Sequence, residues 1–149
     1  MNGNVAEMET FFLALADKTR LRIINLIGDG EVCVCFFTET LEELQPKISR
    51  HLAYLRRAGF VKTRRDGKWI YYRLAEPKDE AASRILSEIQ AWMATDGQMQ
   101  KDRERLAQIY AGPEKMPISI QPLTQLPQIP TQNAESEPYE VKELEDFML

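Results

Sequence analysis

The sequence predicts a mainly α-helical chain with one small β-hairpin, and three observations predict it. Apolar residues recur at helical spacing through most of residues 5–111. Over residues 60–74, "FVKTRRDGKWIYYRL", the period switches to two around Asp66-Gly67, a hairpin signal between alternating runs. Residues 47–73 carry nine basic side chains against the single Asp66, the clustering expected where a chain meets a polyanion.

Taken in order, residues 5–16 ("VAEMETFFLALA") place Met8, Phe11, Phe12 and Leu15 at the spacing of a first helix. Asp17 caps a second, "TRLRIINLI", whose Leu21, Ile24 and Ile27 share one stripe. Gly28-Asp29-Gly30 ends it, glycine permitting the left-handed stop. The stretch "EVCVCFF" follows and leads into a short helix to about Leu41. After the tight turn "EELQP", Pro46 suits the first position of a helix that runs to Gly59. The hairpin comes next, then a helix over 79–94 with Ile85, Ile89 and Trp92 on one side, then a further helical piece ending at Gly112. The order of these elements is that of a winged helix–turn–helix.

The net charge of −4 hides a division. Residues 112–149 hold seven acidic and two basic side chains and six of the eight prolines, so they read as a mostly disordered acidic extension rich in Pro, Gln and Glu. Residues 1–111 read as one winged helix–turn–helix domain. The start "MNGNVAEMET" lacks the basic and apolar run of a secretory signal, and "VCVCFF" is far too short to span a bilayer. A cytoplasmic, membrane-free protein with reduced thiols is expected.

On a helix over 46–57, Ile48, Leu52 and Leu55 point inward, while Arg50, Ala53, Tyr54 and Arg57 fall on the other side, flanked by Lys47 and Ser49. The small Ala53 leaves room for approach to a groove. Arginine bonds guanine edges in two places, and Lys, Ser and Tyr suit phosphates. At the hairpin tip Arg64, Arg65 and Lys68 crowd together, beside the β-favouring Trp69, Tyr71 and Tyr72. The candidate contacts to double-stranded DNA are Gln45, Lys47, Ser49, Arg50, His51, Tyr54, Arg57, Arg64, Arg65 and Lys68, with His51 at the edge of the apolar stripe.

Cys33 and Cys35 are the only thiols in the chain. With "LADKTRLRIINLI", "EVCVCFF", "QPKISRHLAYLRRAGFV" and "RRDGKWIYYRL" in this order, residues 7–95 closely resemble the ArsR/SmtB metal-sensing repressors, and more narrowly their arsenic-responsive branch. The resemblance implies a homodimer built through helices 5–16 and 79–94. It also implies that the dimer binds a palindromic operator and leaves it when As(III) or Sb(III) binds Cys33 and Cys35. No catalytic residue and no organic cofactor is implied. The chain departs from the branch at three places. Thr38 stands where a third Cys is frequent, Phe36 where an acidic residue is common, and Leu44 where a small polar residue would cap the recognition helix.

Thiolate is the matching ligand for a soft trivalent metalloid, and a close dithiol gains from chelation. Residues i and i+2 lie about 200° apart on an ideal helix, so gripping one atom is expected to distort the start of the short helix and tilt the recognition helix. Two grooves about 34 Å apart are then no longer met together. With two thiolates, the third position falls to water, a small thiol or an organic substituent, with Phe36 and Phe37 alongside. A tetrahedral zinc site wants four Cys or His ligands, and the chain has two Cys and one His. The alternatives are a redox-sensing repressor using the same thiols, or a thiol-dependent arsenate reductase or oxidoreductase. Against the enzyme, Glu31 and Glu39 are expected to raise the thiol pKa values.

Overall fold

The structure, a computed structural model, describes residues 4–111, so the acidic extension predicted for 112–149 lies outside the described residues. The elements are α1 (Val5–Leu15), α2 (Lys18–Ile27), β1 (Val32–Cys33), α3 (Val34–Leu41), α4 (Gln45–Arg57), β2 (Val61–Asp66), β3 (Trp69–Leu74), α5 (Glu80–Met93) and α6 (Gly97–Ala111). The winged helix–turn–helix predicted from sequence is the observed architecture, with one change: the hairpin is part of a three-stranded antiparallel sheet of order β1-β3-β2.

Local chemistry sets the boundaries. Asn4 opens α1 with a capping box, its side chain accepting from the Glu7 amide while the Glu7 carboxylate accepts from the Asn4 amide. Asp17 opens α2 by accepting from the Arg20 amide, as its sequence position predicts. Leu44 precedes α4 with no side-chain cap bond, and the helix begins at Gln45, one residue ahead of Pro46. Gly59 closes α4 at φ +84° in a Schellman motif, Phe60 N–H bonding Leu55 O and Gly59 N–H bonding Arg56 O. The hairpin turns on Gly67-Lys68, with Asp66 paired to Trp69 and positive φ at Gly67, the pattern of a type II′ turn.

The core gathers Ile23 and Ile24 of α2, Phe37 of α3, and Ile48, Leu52 and Leu55 of α4, all fully enclosed. The predicted α4 stripe is thus the inner face. Because β1 covers β3 on the side away from β2, β3 is the central strand, and consecutive Tyr71 and Tyr72 are both buried. The apolar set of α1 divides: Leu15 enters the core, while Met8 and Phe12 remain outside, as do Ile85 and Trp92 of α5.

The last helix is docked by polar chemistry. Arg22 of α2 forms a bidentate pair with the buried Asp102 of α6, Nε to Oδ2 at 2.7 Å and Nη2 to Oδ1 at 2.9 Å. That bond holds the Arg22 guanidinium above its ordinary pKa. Asn25 donates to Met99 O at 3.0 Å and accepts from Arg103 Nε at 2.9 Å.

Candidate nucleic-acid interface and thiol site

The ten sequence-predicted DNA contacts do not share one environment. Gln45, Arg50 and Arg57 of α4 and Arg64, Arg65 and Lys68 of the wing are exposed. Lys47 is half-buried and ion-paired to Glu43 one turn earlier, at 2.8 Å. Ser49 and His51 are buried, unlike the other predicted contacts of the α4 face. Ala53 is buried too, so it is not the open notch expected beside a groove.

The reason for His51 is Arg20, a residue the sequence reading passed over. Arg20 is only 4% exposed. Its Nε donates to Ala14 O at 2.8 Å and its Nη2 to Leu13 O at 2.7 Å, satisfying carbonyls at the end of α1. Its guanidinium lies 4.1 Å over the Tyr54 ring, and Nη1 sits 3.4 Å from His51 Nδ1. His51 and Tyr54 therefore fasten α4 to α2 and α1. Burial drives the His51 pKa below its ordinary value; the Asp17 carboxylate, 3.8 Å away, opposes this, and Arg20, Lys47 and Arg50 reinforce it. The imidazole is neutral at neutral pH. A positional signal for Arg20 exists, since it falls at i, i+3, i+4 and i+7 with Ile23, Ile24 and Ile27 on one helix face.

Arg64 is exposed but engaged. Its guanidinium grips the Glu31 carboxylate, Nε to Oε2 at 3.0 Å and Nη2 to Oε1 at 3.0 Å, and lies 4.4 Å over the Tyr71 ring. The bond from Arg64 holds the Glu31 pKa below the carboxylate norm.

The two thiols meet where β1 ends and α3 begins. Cys33 is the N-cap residue of α3, with extended backbone (φ −80°, ψ 151°), and Cys35 lies in the helix's first turn. The ideal-helix divergence expected from sequence does not apply, because only one of the pair is helical. The neighbouring Cys35 thiol lowers the Cys33 pKa against the burial that would raise it, and the amides of Cys35 and Val34 assist. The same pairing, with burial, pushes Cys35 up. The expectation that Glu31 and Glu39 raise both thiols therefore fails at Cys33: Glu31 is committed to Arg64. Cys33 is 1% exposed, whereas Cys35 reaches the surface. Thr38, at the position of the missing third thiol, donates its hydroxyl to Cys35 O at 2.8 Å.

Two phenols complete the surroundings. Tyr71 of β3 is the cross-strand partner of Cys33, so their side chains share one sheet face. Tyr110 of α6 packs edge-on against Phe36, ring centres 4.7 Å apart, with its hydroxyl 3.5 Å from Glu31 O. Burial, helped by the nearby Cys33 sulfur, pushes each phenol up to about 12, so both stay protonated at neutral pH. Phe36 and Phe37 are buried core residues. Among the described residues no group of three or more His, Cys, Asp or Glu is placed to hold a metal ion. Likewise, no helix among the described residues is long and apolar enough to cross a membrane.

Comparison with known proteins agrees with this architecture. The family model described as "Bacterial regulatory protein, arsR family" matches residues 17–63, from the Asp17 cap into β2. The Pseudomonas putida arsenic resistance transcriptional regulator ArsR1 is 47% identical over 102 residues, covering 63% of this chain and 80% of that protein. The Escherichia coli arsenical resistance operon repressor is 43% identical over 97 residues, covering 64% and 81%. Among solved structures, the homodimeric winged helix–turn–helix DNA-binding domain Mb0332 of Mycobacterium bovis superposes with a TM-score of 0.52 at 27% identity, covering 63% of this chain and 91% of that one. With sequence identity of this order running across four fifths of its relatives' length, and the same winged architecture, the chain belongs to the ArsR family of bacterial regulatory proteins, which are transcriptional regulators and not enzymes.

Proposed function

We propose that this protein is an arsenical-responsive transcriptional repressor. It binds operator DNA as a homodimer and releases it when trivalent arsenic or antimony occupies Cys33 and Cys35. The observation that carries the reading is the position of the thiol pair: one sulfur ends a strand of the wing's sheet and the other begins α3, which packs on the recognition helix α4. A soft atom bound there acts on both DNA-reading elements at once. The names of the two arsenic-resistance relatives agree with such a role.

The exposed helix face Gln45, Arg50 and Arg57, with Arg65 and Lys68 at the wing tip, supplies the DNA contacts; Arg64 joins them when Glu31 lets go. Dimerisation through α1 and α5 covers the outward Met8, Phe12, Ile85 and Trp92 and the apolar groove of about 500 Å³ between these helices. Residues 1–111 are the working unit and 112–149 an acidic extension, in a reducing cytoplasm that keeps both thiols free.

The test is operator binding by the purified protein under reductant, challenged with arsenite, antimonite, phenylarsine oxide, cadmium and zinc. Arsenite or antimonite should release the DNA, while Cys33→Ser and Cys35→Ser proteins bind DNA normally and ignore the metalloid. Release from the substituted proteins overturns the reading. Release by peroxide and not by arsenite assigns the pair to redox sensing, which the lowered Cys33 pKa and exposed Cys35 favour as the second reading.

A further inference from the structure

Two sulfurs do not satisfy a trivalent metalloid, and the structure offers one further group at the site whose own bonding is incomplete. The Tyr71 hydroxyl is buried and has no hydrogen-bond partner among the described residues. An enclosed hydroxyl left in that condition is costly and calls for an explanation. The ring is held by its surroundings: Tyr71 sits between Cys33 on β1 and Arg64 on β2 in the sheet register, and the Arg64 guanidinium covers its face. Cys33 and Tyr71 project from the same side of adjacent strands.

We propose that Tyr71 is a binding residue of the thiol site, its hydroxyl donating a hydrogen bond to the oxygen that a trivalent arsenic or antimony keeps after two thiols have captured it. The inference rests on the function proposed above. The capture step balances without any oxidant. Arsenious acid carries three As–OH groups. Two As–S bonds form, two As–O bonds break, and each departing hydroxide leaves as water with one thiol proton. One As–OH remains, and its oxygen is the acceptor for Tyr71. The ligand class is therefore an oxygen-bearing metalloid, arsenite or antimonite. A monosubstituted arsenical such as phenylarsine oxide, hydrated in water, loses both of its hydroxyls to the same two thiols and presents no oxygen to the phenol.

The difference between these two ligands is the test. Affinities of the full-length protein for arsenite and for phenylarsine oxide are measured by competition with a chromogenic dithiol, in wild type, Tyr71→Phe, Tyr110→Phe, Cys33→Ser and Cys35→Ser. Tyr71→Phe should weaken arsenite about fivefold to tenfold, the loss of one neutral hydrogen bond, and leave phenylarsine oxide and operator affinity unchanged. Its ligand-free thermal midpoint should equal or exceed that of wild type, because the substitution removes a hydroxyl that has no partner. Tyr110→Phe should show no selective loss of arsenite. The inference is overturned if Tyr71→Phe binds both ligands as wild type does, weakens both equally, or lowers the ligand-free midpoint. A selective loss in Tyr110→Phe alone overturns it as well. The Cys variants keep the two claims apart: if they retain metalloid binding the repressor reading itself falls, whereas if they lose both ligands that reading stands whatever Tyr71 does.

Discussion

Glu31 and Arg64 are clasped in a bidentate ion pair, Nε and Nη2 each 3.0 Å from a carboxylate oxygen, joining the residue two positions before the first thiol to the middle of a wing strand. The pair is partly solvated, so it contributes only about 0.2–1 kcal/mol to stability. Its larger effect is to occupy a wing cation that the proposed function assigns to DNA. Glu31→Gln should therefore strengthen operator binding several-fold while shifting the unfolding midpoint little. Electrophoretic mobility shift beside urea denaturation measures both; weaker operator binding by the variant would show that Glu31 positions Arg64 for DNA and does not withhold it.

The α4 anchor gives a pH prediction with a definite sign. Burial lowers the folded His51 pKa below its unfolded value of 6.5, so the folded state resists protonation. The contribution is whole above pH 6.5 and is lost progressively as pH falls toward and through the lowered folded value. Urea midpoints at pH 7.5 and 5.5 should differ, and His51→Gln should reduce that difference. An unchanged pH dependence in the variant would remove His51 as its source.

Removing one partner of a buried charge pair leaves the other uncompensated. Asp102→Ala strands the Arg22 guanidinium against α6 and should cost about 3–5 kcal/mol if the whole helix stays docked. If α6 detaches instead, Tyr110 leaves Phe36, and Cys33 should react faster with iodoacetamide. Alkylation rate and thermal midpoint together distinguish the two responses, and a variant unchanged in both refutes the docking role.

In the proposed complex the exposed α4 and wing cations set the salt response. If a dimer neutralises about eight phosphates, the slope of log K against log salt is near −7. Arg57→Ala should reduce its magnitude by about 2, one phosphate per protomer. Ser49→Ala, a buried and uncharged position, should leave both slope and operator affinity unchanged, and a weaker operator affinity there would make Ser49 a DNA contact. Removing residues 113–149 should preserve specific binding, as read by the same titration.

The sequence showed its long periodic elements well, and for a physical reason: Ile48, Leu52 and Leu55 recur over three turns, and Asp17, Gly59 and Gly67 are residues whose backbone or side-chain chemistry marks an end. It did not show β1, because Val32–Cys33 is two residues long and two residues carry no period. The thiol pair was legible as a motif, but its geometry depends on that hidden strand, which takes Cys33 out of the helix. Helical spacing put His51 at the margin of the buried stripe and left open which side it takes. Arg20, six and seven residues from the carbonyls it satisfies and thirty-one from the imidazole it meets, decides the matter. Glu31 with Arg64, and Tyr110 with Phe36, are pairings across the tertiary fold that no local pattern announces.

The Schellman closure at Gly59 leaves no slack between reader and wing: Phe60 follows at once, seated against Phe11 of α1 with ring centres 4.9 Å apart. In a dimer joined through α1, that aromatic contact makes each monomer's DNA-reading unit a fixed arm on a shared hub. Such a dimer would work as calipers whose opening is set at the hub, and a substitution at Phe11 would change which spacing of promoter sequence it measures without touching any residue proposed to contact DNA.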